Sequence, residues 1–354
     1  MQDLMAGPLT EKERRIRRIK NSPPIFIIGS QRSGTTFLYR LIQKYLKIGF
    51  GRDNGNFVRL MKLLPYYGDL SHAENLEKLL KGILAVPEFK KRFRGLEINI
   101  NEFMENLEAR TYAEVLRRFY AEWADLKDAS RWGGKTPDYS MHAPEVHQLF
   151  PDAKFLHIIR DGRDVALSLA NLDWGAKNPV LAAKHWKERV QSAIAFGRNL
   201  KMNSYMEMRY ENLVQNPEIE FERLIHFIEH EGDRGQIVER FKREIGDKVK
   251  RNNFDKWKTG MPRPQIRAFE RMAGDLLKEL EYEIIFPEVV GKRIQVWYYA
   301  WHQVENLILK LLRGEGFKGL YQRIYRFSHD CRLKIGSYRR NEQYQVEKYA
   351  DTKD

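Results

Sequence analysis

Two continuous apolar runs divide the chain, one at 25–28 and one at 155–159. Neither alternates with polar residues, and each stops abruptly at glycine or charge. That is the pattern of a parallel strand buried on both faces. After the first run, Phe37, Leu38, Leu41, Ile42 and Tyr45 form an apolar stripe at helical spacing in a helix that opens near Thr35. After the second, Arg160, Asp161, Gly162, Arg163 and Asp164 lead into a helix carrying Val165, Leu167 and Leu169. A short third strand is expected over 205–208. Helical periods are expected over 74–84, 102–126, 179–200, 217–229 and 235–244, and residues 50–72 read as irregular. Strands alternating with helices predict an α/β fold, with a P-loop-like turn and a central parallel sheet flanked by helices in three layers.

The pattern changes at both ends. Residues 1–22 read as a charged helix. Beyond residue 287, Trp297, Trp301, Val304, Ile308 and Leu311 step by four and three, as do Phe317, Leu320, Ile324 and Phe327. Lys310, Arg313, Lys318, Arg323 and Arg326 lie among them, which makes this stretch a basic amphipathic helical extension. The expected organisation is a charged segment at 1–22, a main domain at 23–286 and the extension at 287–354.

Composition narrows the partners. The chain has 354 residues, enough to bury a full core, and 62 Lys+Arg against 48 Asp+Glu give it a formal charge of +14. The excess is spread along the chain, so no nucleic acid is expected. A small polyanionic ligand or an anionic membrane surface fits better. Cys331 is the single cysteine, so no internal disulfide forms, which suits a reducing cytoplasm. Residues 11–20 are too charged for a signal peptide, and the most apolar long stretch, 294–312, is broken by His302, Gln303, Glu305, Asn306 and Lys310. The expected location is the cytoplasm, with the extension able to reach the inner face of the membrane.

Candidate chemistry gathers where strands end. Gly29 and Gly34 bracket a loop between a strand and a helix start, the layout of a phosphate cradle. The spacing fits the opening of a Walker A loop, but Thr35 and Thr36 stand where its Lys-Ser/Thr pair would follow. An NTPase needs that lysine on its β- and γ-phosphates. Here Arg32 lies inside the turn instead, so the loop points to a different phosphate-bearing donor. Arg32, Ser33, Gly34, Thr35 and Thr36 make a first anion site. The second strand end supplies Arg160 and, eight residues on, Ser168, an offset that returns to nearly the same helix face. The third supplies Arg209 and Tyr210. Ligands of open α/β sheets lie outside the carboxyl ends of the strands. Two anion sites at separate strand ends fit a ligand with two separated phosphates.

In these motifs and their order the chain resembles the sulfotransferase superfamily that uses 3′-phosphoadenosine 5′-phosphosulfate (PAPS). Residues 31–36 are similar to the family's 5′-phosphosulfate loop, and residues 155–168 to its 3′-phosphate motif. Residues 209–213 resemble its strand-end tyrosine segment, and residues 255–260 the late segment that closes over the donor. The resemblance spans roughly residues 22–285. The Arg-Ser-Gly-Thr-Thr form and the segment Lys135, Thr136, Pro137 resemble the tyrosylprotein- and carbohydrate-type branch, including its bacterial members. The small-molecule cytosolic branch usually has lysine in place of Arg32.

The resemblance implies transfer of a sulfuryl group from PAPS to an acceptor hydroxyl by in-line displacement, leaving adenosine 3′,5′-bisphosphate. It implies that Arg32 follows the charge growing on the leaving phosphate, and that Lys135 sits between the bridging oxygen and the sulfuryl group. Arg160 and Ser168 would hold the 3′-phosphate, Tyr210 would orient the adenine and Lys256 would close on the phosphates. In that branch the general base is a glutamate about twenty residues after the loop arginine. Asp53 stands there in this chain, His142 and Glu97 are alternates, and a turn-forming role for Asp53 stays open. Trp186 and Trp257 read as core. The nine histidines form no ligand-spaced cluster, so no metal is expected. A carbohydrate, glycolipid or lipid-linked glycan is the expected acceptor. Two other readings remain: a P-loop kinase or NTPase, and a non-enzymatic basic membrane-binding protein. The extension itself fits packing on its own domain, on a second subunit in a homodimer, or on a membrane.

Overall fold

The computed structural model describes residues 10–51, 56–86, 89, 93–172, 175–201, 203–229, 232–245, 252–292 and 300–305. Five strands form one sheet: β1 (Ile25–Ile28), β2 (Ile48–Gly51), β3 (Arg131–Lys135), β4 (Lys154–Ile159) and β5 (Tyr205–Arg209). Their order is β2-β3-β1-β4-β5, and every pairing is parallel. All of β1 and β4 is buried, as their unbroken apolar composition requires. Ile27 pairs with Lys135 on one side and Leu156 on the other, so β1, β3 and β4 finish close together. The chain runs to one side of β1 for β2 and β3, then crosses to the other side for β4. The carboxyl end of β1 is therefore the switch point at which such sheets bind ligands.

The two faces of the sheet sort by strand alternation. Phe26, Ile28, Trp132 and Phe155 face a core shared with the helix Tyr112–Leu126. Ile25, Ile27, Leu156, Ile158, Met206 and Met208 face the helices Thr35–Leu46, Pro217–Phe227 and Arg234–Ile245. A third cluster joins the helices Gly162–Ala170, Pro179–Gly197 and Arg263–Glu279 around Trp186, Trp257 and Phe269. The expected three-layer α/β arrangement is what forms, and both tryptophans are core residues, 0% and 1% exposed.

The differences have physical causes. β3 reads Arg-Trp-Gly-Gly-Lys, which carries no strand-like apolar pattern. Its glycines answer to packing: a Cβ on Gly133 would lie 2.4 Å from the Ile25 carbonyl oxygen, and one on Gly134 2.7 Å from the Phe26 ring. β2 is pressed against the helix Tyr112–Leu126 in the same way, with 2.8 Å from a Gly49 Cβ to Ala124 and 2.1 Å from a Gly51 Cβ to Tyr120. The region expected to be irregular thus holds both β2 and the helix Asn56–Leu63. The single helix expected over 102–126 is two, Ile100–Glu105 and Tyr112–Leu126. Thr111 starts the second by accepting a hydrogen bond from the Glu114 N–H.

The helix Glu11–Asn21 begins with a capping box of Thr10 and Glu13 and buries Ile16 and Ile19. Its Lys20 is 3% exposed and pairs with Glu108 at 2.9 Å and Glu114 at 2.6 Å, which ties this charged segment to the domain. Of the extension, residues 287–292 and 300–305 are described, the latter helical; the other residues of that expected helical region lie outside the described residues. Among the described residues, no helix is long and apolar enough to cross a membrane.

Gly133→Ala is expected to lower stability by about 1–3 kcal/mol, because the added methyl meets the Ile25 carbonyl oxygen as well as the Phe50 ring. Urea denaturation measures this. An unchanged midpoint would mean that β3 can move away from β1 without cost.

Candidate active site

The loop after β1 is shaped by three residues with positive φ: Gly29 at 143°, Arg32 at 67° and Gly34 at 95°. A Cβ at Gly29 would lie 2.5 Å from the Ile158 carbonyl oxygen, and one at Gly34 2.3 Å from the Tyr210 ring. The loop can therefore lie this close to β4 and Tyr210 only with glycine at those positions. The helix Thr35–Leu46 then starts with no side-chain cap and no acidic residue in its first turn. Its leading N–H groups and positive dipole end are open to an anion. The Ser33 hydroxyl is buried and has no hydrogen-bond partner among the described residues.

β3 brings Lys135 beside this loop. Its Nζ donates to Thr36 Oγ1 at 3.3 Å and lies 5.9 Å from the Tyr39 ring centroid. Five residues on, fully buried Ser140 accepts the Gly29 N–H at 2.7 Å and donates to the Gly29 carbonyl at 3.1 Å. One hydroxyl thus satisfies both backbone groups of the first loop glycine. Sequence reasoning missed Ser140, and only its place after Lys135 could have suggested it. His142 lies just beyond, with Nδ1 3.0 Å from Glu145 Oε1. Burial pushes the Glu145 carboxyl up, but the hydrogen bond and charge of His142 outweigh it and hold the group below its ordinary range.

β4 delivers Arg160, which is 8% exposed and engaged on several sides. Nη1 donates to the Arg32 carbonyl at 3.3 Å, and Nη2 donates to Asp164 at 3.1 Å and to the Asn253 carbonyl at 3.0 Å. The guanidinium stacks 4.5 Å from the Tyr210 ring centroid, and Nε is buried without a partner among the described residues. Ser168, two turns along the helix Gly162–Ala170, accepts from Arg32 Nε at 2.9 Å. Residues expected at two separate strand ends therefore meet: Arg32 touches Ser168 by side chain and Arg160 by backbone.

The remaining expected residues are placed as follows. Tyr210 is 5% exposed, lies under Gly34, and accepts from Asn253 Nδ2. Its ring thus floors the loop and backs Arg160. Lys256 is exposed and directly precedes the helix Trp257–Gly260. Glu97 is exposed, and no hydrogen bond or ion pair joins it to the loop among the described residues. Asp53 lies outside the described residues.

This arrangement is suited to a phosphate-bearing anion. Cationic groups surround a loop that carries an uncapped helix start and two buried polar groups, Ser33 Oγ and Arg160 Nε, without a partner among the described residues. The acids after β4 are already committed. Both Asp161 oxygens accept from Arg163, at 3.1 and 2.8 Å, while Asp164 is shared by Arg160 and the Trp257 N–H.

The family model described as the sulfotransferase family matches residues 23–233. The chain belongs to the sulfotransferase family. It is similar to a protein-tyrosine sulfotransferase of Drosophila melanogaster, with 23% identity over 229 residues that cover 62% of this chain and 41% of that protein. The chain thus spans less than half the length of that relative. Among solved structures it is similar to the sulfotransferase domain from the curacin biosynthetic pathway, with a TM-score of 0.44, 19% identity, and coverage of 74% of this chain and 99% of that one. It is also similar to the sulfotransferase domain of the Synechococcus PCC 7002 olefin synthase, with a TM-score of 0.42, 19% identity, and coverage of 70% and 94%.

Ser140→Ala is expected to cost about 1–3 kcal/mol, because it leaves two buried backbone groups of Gly29 unpaired. Chemical denaturation checks the cost. A variant as stable as the parent would show that the loop does not depend on this hydroxyl.

Proposed function

We propose that the chain transfers the sulfuryl group of PAPS to an acceptor hydroxyl by in-line displacement. The observation that carries this reading is the meeting of Arg32, Ser168 and Arg160 around a loop whose helix start has no side-chain cap and whose Ser33 hydroxyl and Arg160 Nε have no partner among the described residues. The 5′-phosphosulfate occupies the loop, against the N–H groups of Gly34, Thr35 and Thr36 and the Ser33 hydroxyl. Arg32 turns from Ser168 to the phosphate that leaves and stabilises the charge developing there. Lys135, held beside Thr36, contacts the oxygen between phosphorus and sulfur. The 3′-phosphate takes Arg160 Nε and the hydroxyl of Ser168, each charge-assisted bond contributing roughly 1.5–3 kcal/mol. Tyr210 sets the height of the nucleotide, and Lys256 closes from the far side. Cationic side chains supply the charge stabilisation that an NTPase draws from Mg²⁺.

The acceptor proton goes to Asp53, by its position after the loop. A second reading is favoured by one contact: Glu145 holds His142 Nδ1, which leaves Nε2 as the nitrogen able to take a proton. The acceptor is a hydroxyl of a carbohydrate, glycolipid or lipid-linked glycan, met at the inner face of an anionic membrane. The basic extension and the exposure of Trp301 (66%) and Val304 (51%) support a membrane contact.

Adenosine 3′,5′-bisphosphate is expected to bind more tightly than Mg·ATP in calorimetry; the reverse order would favour the kinase reading. Arg32→Ala and Lys135→Ala are each expected to lower kcat by about 10²–10³-fold with an unchanged melting temperature. Near-normal turnover in Arg32→Ala would overturn the mechanism. For the base, pH–rate profiles of Asp53→Asn and His142→Gln decide. The true base loses the acidic limb of its profile along with most of its rate, and the other variant keeps both.

A further inference from the structure

The segment 253–260 is fastened at two points, on groups that follow β4 and β5. Asn253 gives its carbonyl to Arg160 Nη2 at 3.0 Å and its side-chain amide to the Tyr210 hydroxyl. Trp257 gives its backbone N–H to Asp164 Oδ1 at 3.0 Å. Its indole lies 3.6 Å from the Arg163 guanidinium, which is itself fully buried between Asp161 and Glu270. Lys256 stands between these anchors and is exposed. The Asp164 side chain is 0% exposed, and its second oxygen takes Arg160 Nη2 at 3.1 Å. One carboxylate therefore holds Arg160 with one oxygen and the segment bearing Lys256 with the other.

We propose that Asp164 is a positioning residue that couples the 3′-phosphate site at Arg160 to the placement of Lys256 over the donor. The inference rests on the donor reading above. Asp164 touches neither donor nor acceptor. It fixes the Arg160 guanidinium so that Nε, the buried nitrogen without a partner among the described residues, stays turned to the ligand. It also pins the first turn of the helix Trp257–Gly260, so that Lys256 starts from a fixed backbone. A buried anion between a phosphate-binding arginine and a closing segment makes the two respond together, because a shift of either loosens the other's hydrogen bond. Arg163 and Glu270 add the rigid floor: Glu270 also accepts the N–H groups of Ile285, at 3.1 Å, and Phe286, at 2.7 Å.

The test uses the full-length chain and two probes, adenosine 3′,5′-bisphosphate and adenosine 5′-monophosphate, which differ by the 3′-phosphate. Asp164→Ala is expected to weaken the bisphosphate by about 10-fold or more while leaving the monophosphate within about twofold, with hydrogen exchange at the Trp257 amide accelerated. Asp164→Asn keeps an acceptor for the Trp257 N–H but loses the charge on Arg160. It is expected to retain slow exchange there while losing part of the 3′-phosphate preference, and it serves if the alanine variant does not fold. A double-mutant cycle with Lys256→Ala measures the coupling. Lys256→Ala should weaken the bisphosphate about 10-fold in the parent, little in Asp164→Ala, and by an intermediate factor in Asp164→Asn, which keeps the Trp257 anchor. Equal losses for both probes, or additive effects in the cycle, overturn the coupling alone. A parent chain that binds the two probes equally overturns the donor reading and the coupling with it.

Discussion

The site depends on how the guanidinium of Arg160 is held. Three stretches of chain that are far apart in sequence, the loop after β1, the helix after β4 and the segment around Asn253, each give it one oxygen, and Tyr210 covers its face. A buried arginine is tolerated only where such partners offset its desolvation. Here the partners leave Nε over. The same arrangement that stabilises the charge in the fold also leaves one buried nitrogen, Nε, without a partner among the described residues. Under the proposed function, an arriving phosphate completes the set at Arg160, and that guanidinium needs little reorganisation to receive it.

The loop conformation follows from the same economy of contacts. Gly29 is held by Ser140 and packed on Ile158, Gly34 is packed on Tyr210, and Arg32 between them takes a left-handed backbone with its carbonyl on Arg160. Such a backbone is uncommon outside glycine and persists where neighbours over-determine it. Ser140 comes from the β3 side and Arg160 from β4, so the loop is gripped from both flanks of β1. That is the structural meaning of the switch point in this sheet.

What could be read from the sequence, and what could not, divides along one line. β1 and β4 were legible because strands buried on both faces need unbroken apolar runs, and the chemistry that follows them was legible because it begins where those runs stop. The order of elements then carried the α/β class. β2 and β3 were hidden because their packing requires glycine where a strand signal would need side chains, and Lys135 was therefore not recognised as a strand-end residue. Ser140 and Asp164 act by joining distant backbone segments, and nothing local in the sequence announces such a partner. The contact between Arg32 and Ser168 was out of reach for the same reason: 136 residues separate them, and only the parallel register of β1 and β4 brings them together.

The glycines of β2 and β3 divide the molecule's capacity for change unevenly. Gly49, Gly51, Gly133 and Gly134 each sit where a single added carbon would overlap a helix, a ring or a neighbouring carbonyl. This half of the sheet cannot be remodelled one side chain at a time. Descendants of this chain that come to bind a different compound must therefore alter the connections hanging from these strands and leave the strands as they are. Diversification here is a matter of loop exchange on a frozen frame.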